Sequence, residues 1–261
     1  MPTPTMYLPP RSGSVQESSD QVEPGSALWI VLPTFNEREN LPRLIPALLS
    51  AVPFASVLIV DDNSPDGTGE IADSLATAEP RVVVLHRESK QGLGAAYRAG
   101  FRAVLSRPGV DWVAQMDCDF SHDPRDLARL VSSAGPTADL VLGSRYVAGG
   151  ATPGWSRLRR FISRGGSLFA RSVLGLPYRD LTGGFKVWRR ETLAEVLESG
   201  SSTSGYGFQV ETTYRAHQIG ARIREVPITF RDRTAGTSKM SATIVGEAMV
   251  MVLRLRSASA L

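Results

Sequence analysis

Trp112-Val113-Ala114-Gln115-Met116-Asp117-Cys118-Asp119-Phe120-Ser121-His122 passes from an apolar run directly into two carboxylates spaced i, i+2. Successive side chains of an extended chain point to opposite faces, so Asp117 and Asp119 at a strand end emerge on one side, where both can hold one hard cation. Loop carboxylates are also common as solvated groups or helix caps. Here Asp123-Pro124 already supplies an N-cap and a first-turn proline, with Asp126 behind them, so the pair is not needed for capping. Metal binding is therefore the reading this stretch favours over a solvated pair.

Working outward, residues 28–32, 57–60, 82–85, 112–116 and 140–142 are short, mostly apolar and β-branched, with helical segments between them. Such alternation predicts an α/β protein with a mostly parallel central sheet flanked by helices. Ligands of such sheets bind beyond the carboxyl ends of the strands. The first four runs each end in a polar cluster, and the clusters are expected to converge.

The 261 residues are 42% hydrophobic and 21% charged, enough to bury one full core. We expect a disordered Pro- and Ser-rich tail over 1–26, a catalytic domain over 27–239 and an amphipathic helix over 240–261. The single cysteine, Cys118, excludes an internal disulfide framework and reads as a small core residue in a reducing, cytoplasmic setting. The formal charge of +3 is weak evidence about partners, and no nucleic acid is expected among them. No apolar run reaches the roughly 18 to 20 residues that span a bilayer; the nearest, 244–255, is cut by Glu247 and Arg254.

The first strand-end cluster, Pro33-Thr34-Phe35-Asn36-Glu37, is followed by Asn40 as the expected cap of the next helix. It reads equally as a pocket-lining loop and as a plain capping turn. The second, Asp61-Asp62-Asn63-Ser64-Pro65-Asp66-Gly67-Thr68, carries more carboxylates than a turn requires, and one of them can accept hydrogen bonds from a base or ribose. In the third, Lys90-Gln91-Gly92-Leu93-Gly94, glycines open a helix beside a positive charge, which suits a nucleotide without matching a Walker or dinucleotide spacing. With the acidic pair fourth, a nucleotide diphosphate neutralised by Mg²⁺ or Mn²⁺ is the economical ligand.

These clusters, together with Gly143-Ser144-Arg145-Tyr146 and Asp180-Leu181-Thr182-Gly183-Gly184-Phe185, resemble glycosyltransferase family 2 with the GT-A fold, over residues 27–239. Within it they are most similar to the dolichyl and polyprenyl phosphate mannosyltransferases. The resemblance implies GDP-mannose as donor, a polyprenyl monophosphate as acceptor, inversion at the sugar, and a peripheral enzyme on the cytoplasmic face of a membrane. It places Pro33, Phe35, Glu37, Val60, Asp62, Lys90 and Cys118 around the nucleotide sugar, and Asp117, Asp119, Arg145 and Asp180 at the chemistry. Arg145, Arg233 and Lys239 would meet phosphates. Phe35 stands where relatives often carry Tyr, and Ser121 where some carry Gln as a metal ligand, so Ser121 is expected to bind a metal weakly or through water.

Residues 144–171 hold six arginines and no acid, with Leu158, Phe161, Ile162, Leu168, Phe169 and Val173 at helical spacing and Trp155 at the entrance. That is a basic amphipathic helix suited to an anionic membrane, or a core-packed helix with a solvated basic face. The implied lipid acceptor favours the first, with Arg145 and Arg159 gripping its phosphate. Residues 182–188 are expected as a strand, followed by Gln209 and Glu211 at a helix start, where both could reach the sugar or acceptor or Glu211 could simply complement the helix N-terminus, and by a strand over 223–230. The alternatives are a polyprenyl phosphate glucosyltransferase using UDP-glucose and a silent nucleotide-sugar-binding subunit. Such glucosyl relatives often carry membrane spans after the catalytic domain, and the lack of one in this sequence leans toward the mannosyl type. It also makes a separate membrane-anchoring protein partner plausible.

Overall fold

A computed structural model describes residues 27–200, 203, 205, 207–232 and 242–258. The expected tail, Arg233 and Lys239 lie outside the described residues. The first half alternates strand and helix: β1 (Ala27–Thr34), α1 (Leu41–Ala51), β2 (Ala55–Asp61), α2 (Thr68–Ala78), β3 (Val82–His86), α3 (Leu93–Leu105), β4 (Val110–Gln115) and α4 (Pro124–Ser132). The second half continues with β5 (Leu140–Ser144), α5 (Arg157–Leu174), β6 (Lys186–Arg189), α6 (Arg190–Glu198), α7 (Gly207–Gln218), β7 (Ile223–Pro227) and α8 (Ala242–Ala258).

The strands form one seven-stranded sheet in the order β3-β2-β1-β4-β6-β5-β7, parallel except for β6, which is antiparallel to both β4 and β5. The α/β sheet expected from the alternating pattern is present. Along β1 the alternation decides the packing: Leu28, Ile30 and Leu32 enter a core shared with α1 and α4, while Val31 enters another with Tyr97, Phe101 and Val104 of α3. A third cluster joins Ala170 and Leu174 of α5 to Val210 and Tyr214 of α7 and Val252 of α8.

Local signals worked unevenly. Asp123 caps α4 as expected, accepting from the Arg125 N–H at 2.9 Å. Asn40 occupies the N-cap of α1, but its side chain makes no capping bond and instead donates to Glu37 Oε2 at 2.8 Å. The strand expected over 182–188 begins only at Lys186, after Gly183-Gly184, and the one expected over 223–230 stops at Pro227, with an isolated bridge at Thr229. Gly94 makes room for protein rather than for a ligand, since a Cβ there would lie 2.3 Å from the Thr203 carbonyl oxygen.

Candidate functional site

The loops after β1 and β2 are stitched together by short polar side chains. Asn36 N–H donates to Ser64 Oγ at 3.1 Å, Glu37 N–H to Thr68 Oγ1 at 2.9 Å, and Arg38 N–H to Asp66 Oδ2 at 3.3 Å. Asn36 and Asn63 both take left-handed backbone, a conformation Asn tolerates, which turns each loop sharply off its strand. Asp61 accepts from Thr34 Oγ1, Ser64 N and Ser64 Oγ, so it holds the turn, while its neighbour Asp62 meets Arg87 in an ion pair. Burial pushes the Asp62 carboxyl up, with Arg87 opposing.

Across this junction Lys90 Nζ stands 3.8 Å from the centroid of the Phe35 ring, joining the first and third clusters. Pro33 pairs in register with Val60. The Val60 side chain, however, is fully buried among Val31, Tyr97 and Phe101, so it does not line the site as expected.

The acidic pair is not carried by strand alternation. β4 ends at Gln115, and the chain then bends through 118–122, with Phe120 in left-handed backbone at φ 59°. For an aromatic residue that is a strained conformation, maintained here by the surrounding turn. Asp117 Oδ1 accepts from Tyr97 OH at 3.4 Å, and Asp119 Oδ1 from the Ser121 N–H at 3.0 Å. The Ser121 hydroxyl is buried with no hydrogen-bond partner. Two carboxylates beside an unsatisfied hydroxyl fit a hard divalent cation. Among the described residues no three His, Cys, Asp or Glu side chains gather as a metal cluster, so other donors must come from ligand and water. Arg231 N–H donates to the Ser121 carbonyl at 3.1 Å, which brings the chain at Arg231 alongside the acidic turn. Cys118 is buried in the core, and burial raises its thiol pKa well above the ordinary value, as for an inert thiol.

Beyond β5, Arg145 binds Asp180 through Nε and Nη2, each at 2.7 Å, and its Nη2 also reaches Thr182 Oγ1 at 2.8 Å. The rings of Tyr146, Trp155 and Phe230 surround the guanidinium at 5.2, 5.6 and 5.4 Å. Burial disfavours the Arg145 cation, but Asp180 outweighs it and holds the pKa above the ordinary value. Arg159 stacks on the other ring contact of Trp155, 4.1 Å from its centroid, and pairs with Asp232.

The apolar residues of α5 divide between two faces. Leu158, Phe161, Ile162 and Leu168 face outward, Phe161 being 76% exposed, whereas Phe169 and Val173 pack into the third core cluster. On α8, Val252 is buried, and Met249, Val250 and Leu253 are exposed. No helix among the described residues is long and apolar enough to cross a membrane.

Residues 29–197 match the family described as glycosyl transferase family 2. The chain belongs to that family. It is 50% identical over 224 residues, 86% of this chain and 91% of the relative, to the undecaprenyl-phosphate mannosyltransferase of Micrococcus luteus. It is 44% identical over 243 residues, 93% of this chain and 91% of the relative, to the polyprenol monophosphomannose synthase of Mycolicibacterium smegmatis. Among solved structures, glucosyl-3-phosphoglycerate synthase from Mycobacterium tuberculosis in complex with Mn²⁺ and UDP superposes with a TM-score of 0.65 at 21% identity, covering 89% of this chain and 80% of that one. That likeness establishes the shared fold.

Around the acidic turn of this family 2 glycosyltransferase, His122, Gln115, Lys186 and Trp188 are buried side chains that the sequence pattern did not assign to the site. His122 stacks on Phe185 at 4.6 Å and accepts from the Asp117 N–H through Nδ1 at 3.1 Å, so the proton of the neutral ring sits on Nε2. Burial lowers its pKa to about 4. Glu211, expected near the sugar or acceptor, grips the Thr203 N–H and Arg215 instead; burial raises its pKa, but those bonds prevail and hold it below the ordinary value. Behind the acidic turn lies a wholly buried polar group of Gln115, Lys186, Trp188 and Gln209. Polar residues within otherwise apolar strands, Gln115 and Lys186 above all, were the available signal.

Proposed function

We propose that this chain transfers mannose from GDP-mannose to a polyprenyl monophosphate, inverting the anomeric centre, while resting on the cytoplasmic face of a membrane. The observation that carries this reading is the construction of α5. Arg159, beside Trp155 and the Arg145–Asp180 pair, lies on the same helix as the outward Leu158, Phe161, Ile162 and Leu168. A phosphate-binding cation next to an exposed apolar stripe suits a phosphate carried on a lipid better than a freely soluble acceptor. The names of the two relatives at 50% and 44% identity support the same acceptor and sugar.

In this reading the loops after β1, β2 and β3 hold the nucleoside through Phe35, Glu37, Asp62 and Lys90. Asp117 and Asp119, with Ser121 directly or through water, would hold Mg²⁺ or Mn²⁺. When bound, that cation supplies charge stabilisation for the departing diphosphate. Arg233 and Lys239 add positive charge to the diphosphate. Arg145 and Arg159 position the acceptor phosphate, and Asp180 fixes Arg145. A phosphate monoester is anionic near neutral pH, so its oxygen attacks in line without a general base.

The test is transfer of label from GDP-mannose to polyprenyl phosphate in the presence of Mg²⁺ or Mn²⁺, followed by extraction of the lipid. Label in the organic phase is expected. Its absence, with label appearing instead from UDP-glucose, would select the glucosyl alternative. Absence from both would leave a binding subunit.

A further inference from the structure

Gln209 is 1% exposed, and its Nε2 is a buried donor with no partner. Its orientation is set by a chain of bonds that begins at an obligatory donor. An indole N–H can only donate, so Trp188 Nε1, 2.9 Å from Gln115 Oε1, makes that atom the acceptor. Gln115 Nε2 then donates to the Gly184 carbonyl at 3.1 Å and to Gln209 Oε1 at 2.8 Å. Flipping the Gln209 amide would set two N–H groups against each other. Its Nε2 is therefore the end left to face outward from the relay.

What it faces is marked by Gly184. A Cβ on that residue would lie 3.1 Å from Gln209 Nε2 and 3.8 Å from Asp117 Oδ1. Glycine thus keeps open a niche bordered by an amide donor on one side and a carboxylate acceptor of the acidic turn on the other. A cation there would be repelled by the amide N–H, and a phosphate oxygen by the carboxylate. A hydroxyl satisfies both, accepting from one and donating to the other; Asp117 Oδ1 also receives Tyr97 OH at 3.4 Å, and a carboxylate oxygen accommodates two donors.

We propose that Gln209, Asp117 and the glycine at 184 form a subsite that reads one hydroxyl of the transferred hexose, with Gln209 as a specificity-determining residue. The inference rests on the nucleotide-sugar reading above and deepens it. A donor sugar lacking that hydroxyl leaves the Gln209 N–H buried and unpaired.

The test uses the full chain with GDP-mannose and its four analogues, each lacking one hydroxyl of the hexose, on wild type, Gln209→Met and Gly184→Ala. In wild type, one analogue should lose about 10- to 100-fold in kcat/KM. Gln209→Met should lose a similar factor on GDP-mannose itself and no longer distinguish it from that analogue, while GDP alone binds with unchanged affinity by calorimetry. Gly184→Ala, which leaves the Gln115 relay in place, should abolish the same discrimination and serves if Gln209→Met does not fold. Equal losses across all donors in both variants, or a wild type indifferent to every hydroxyl, would overturn the proposal. If wild type does not use GDP-mannose, the donor reading fails separately. The same deoxy series on whichever nucleotide hexose it does use then decides the subsite.

Discussion

Arg145 donates to both carboxylate oxygens of Asp180 at 2.7 Å, and Asp180's side chain has no exposure at all. A buried pair of this kind adds little net stability, yet either partner left alone is a charge in a poor solvent. Asp180→Ala should cost about 3 to 5 kcal/mol in urea unfolding, and Arg145→Met combined with Asp180→Leu should recover most of that loss. Transfer should stay abolished in the double variant. Equal stability of the single and double variants would show that the pair is not the unit described.

Asp119→Ala should reduce transfer by at least ~100-fold, the scale of removing preorganised charge stabilisation at a reacting centre. It should also erase any strengthening of GDP binding by Mn²⁺ in calorimetry. Normal turnover, or an undiminished Mn²⁺ effect on GDP affinity, would remove Asp119 from the metal site.

Burial lowers the Lys186 pKa from 10.5 to about 7, with Asp180 opposing weakly from a distance. The unfolded chain keeps this amine protonated to near its ordinary value, so between about pH 7 and 10.5 the unfolded state binds more protons. Stability from this group therefore rises with pH through that window and is lost as pH falls through 7. Relative to Lys186→Met, wild type should gain on the order of a few kcal/mol from pH 7 to 10 in urea titrations. Parallel pH profiles would contradict a depressed lysine.

The outward stripe of α5 should matter for lipid and not for folding. Phe161→Ser with Leu168→Ser removes two exposed apolar groups, so melting should barely move. Flotation with anionic vesicles should show binding weakened by about tenfold or more, from roughly 0.8 kcal/mol lost per unburied methylene. Unchanged flotation would assign the membrane contact elsewhere.

Much of the first half was legible because its information is local. An apolar run that breaks into Asn, Asp, Ser and Gly announces a strand end, and parallel topology gathers such ends on one edge. The acidic pair was found by the same logic, although its support is a bent turn at Phe120 and not the strand alternation used to find it. Gly94 had the right residue type for a ligand loop, but the approach of Thr203, more than a hundred positions away, decides its role. Gln115 and Lys186 stood out as polar residues within apolar strands, but the network they form with Trp188 and Gln209 exists only once β4 pairs with β6 and α7 packs against them. The α5 pattern showed amphipathicity but not which apolar residues α8 and α7 would cover.

The reversal of β6 has a consequence for how this scaffold can change. Because Lys186 lies opposite Gln115, and Arg189 opposite Trp112, the segment that arrives before β6 sits where its neighbours' trailing loops sit. Asp180, Thr182 and Gly184 are delivered by an inbound stretch, whereas whatever follows β6 departs from the far edge. Length changes at the far edge, where Arg189 leads into α6, should therefore be catalytically quiet, while a single inserted residue between Asp180 and Lys186 would displace the Arg145 anchor and the Gln209 niche together.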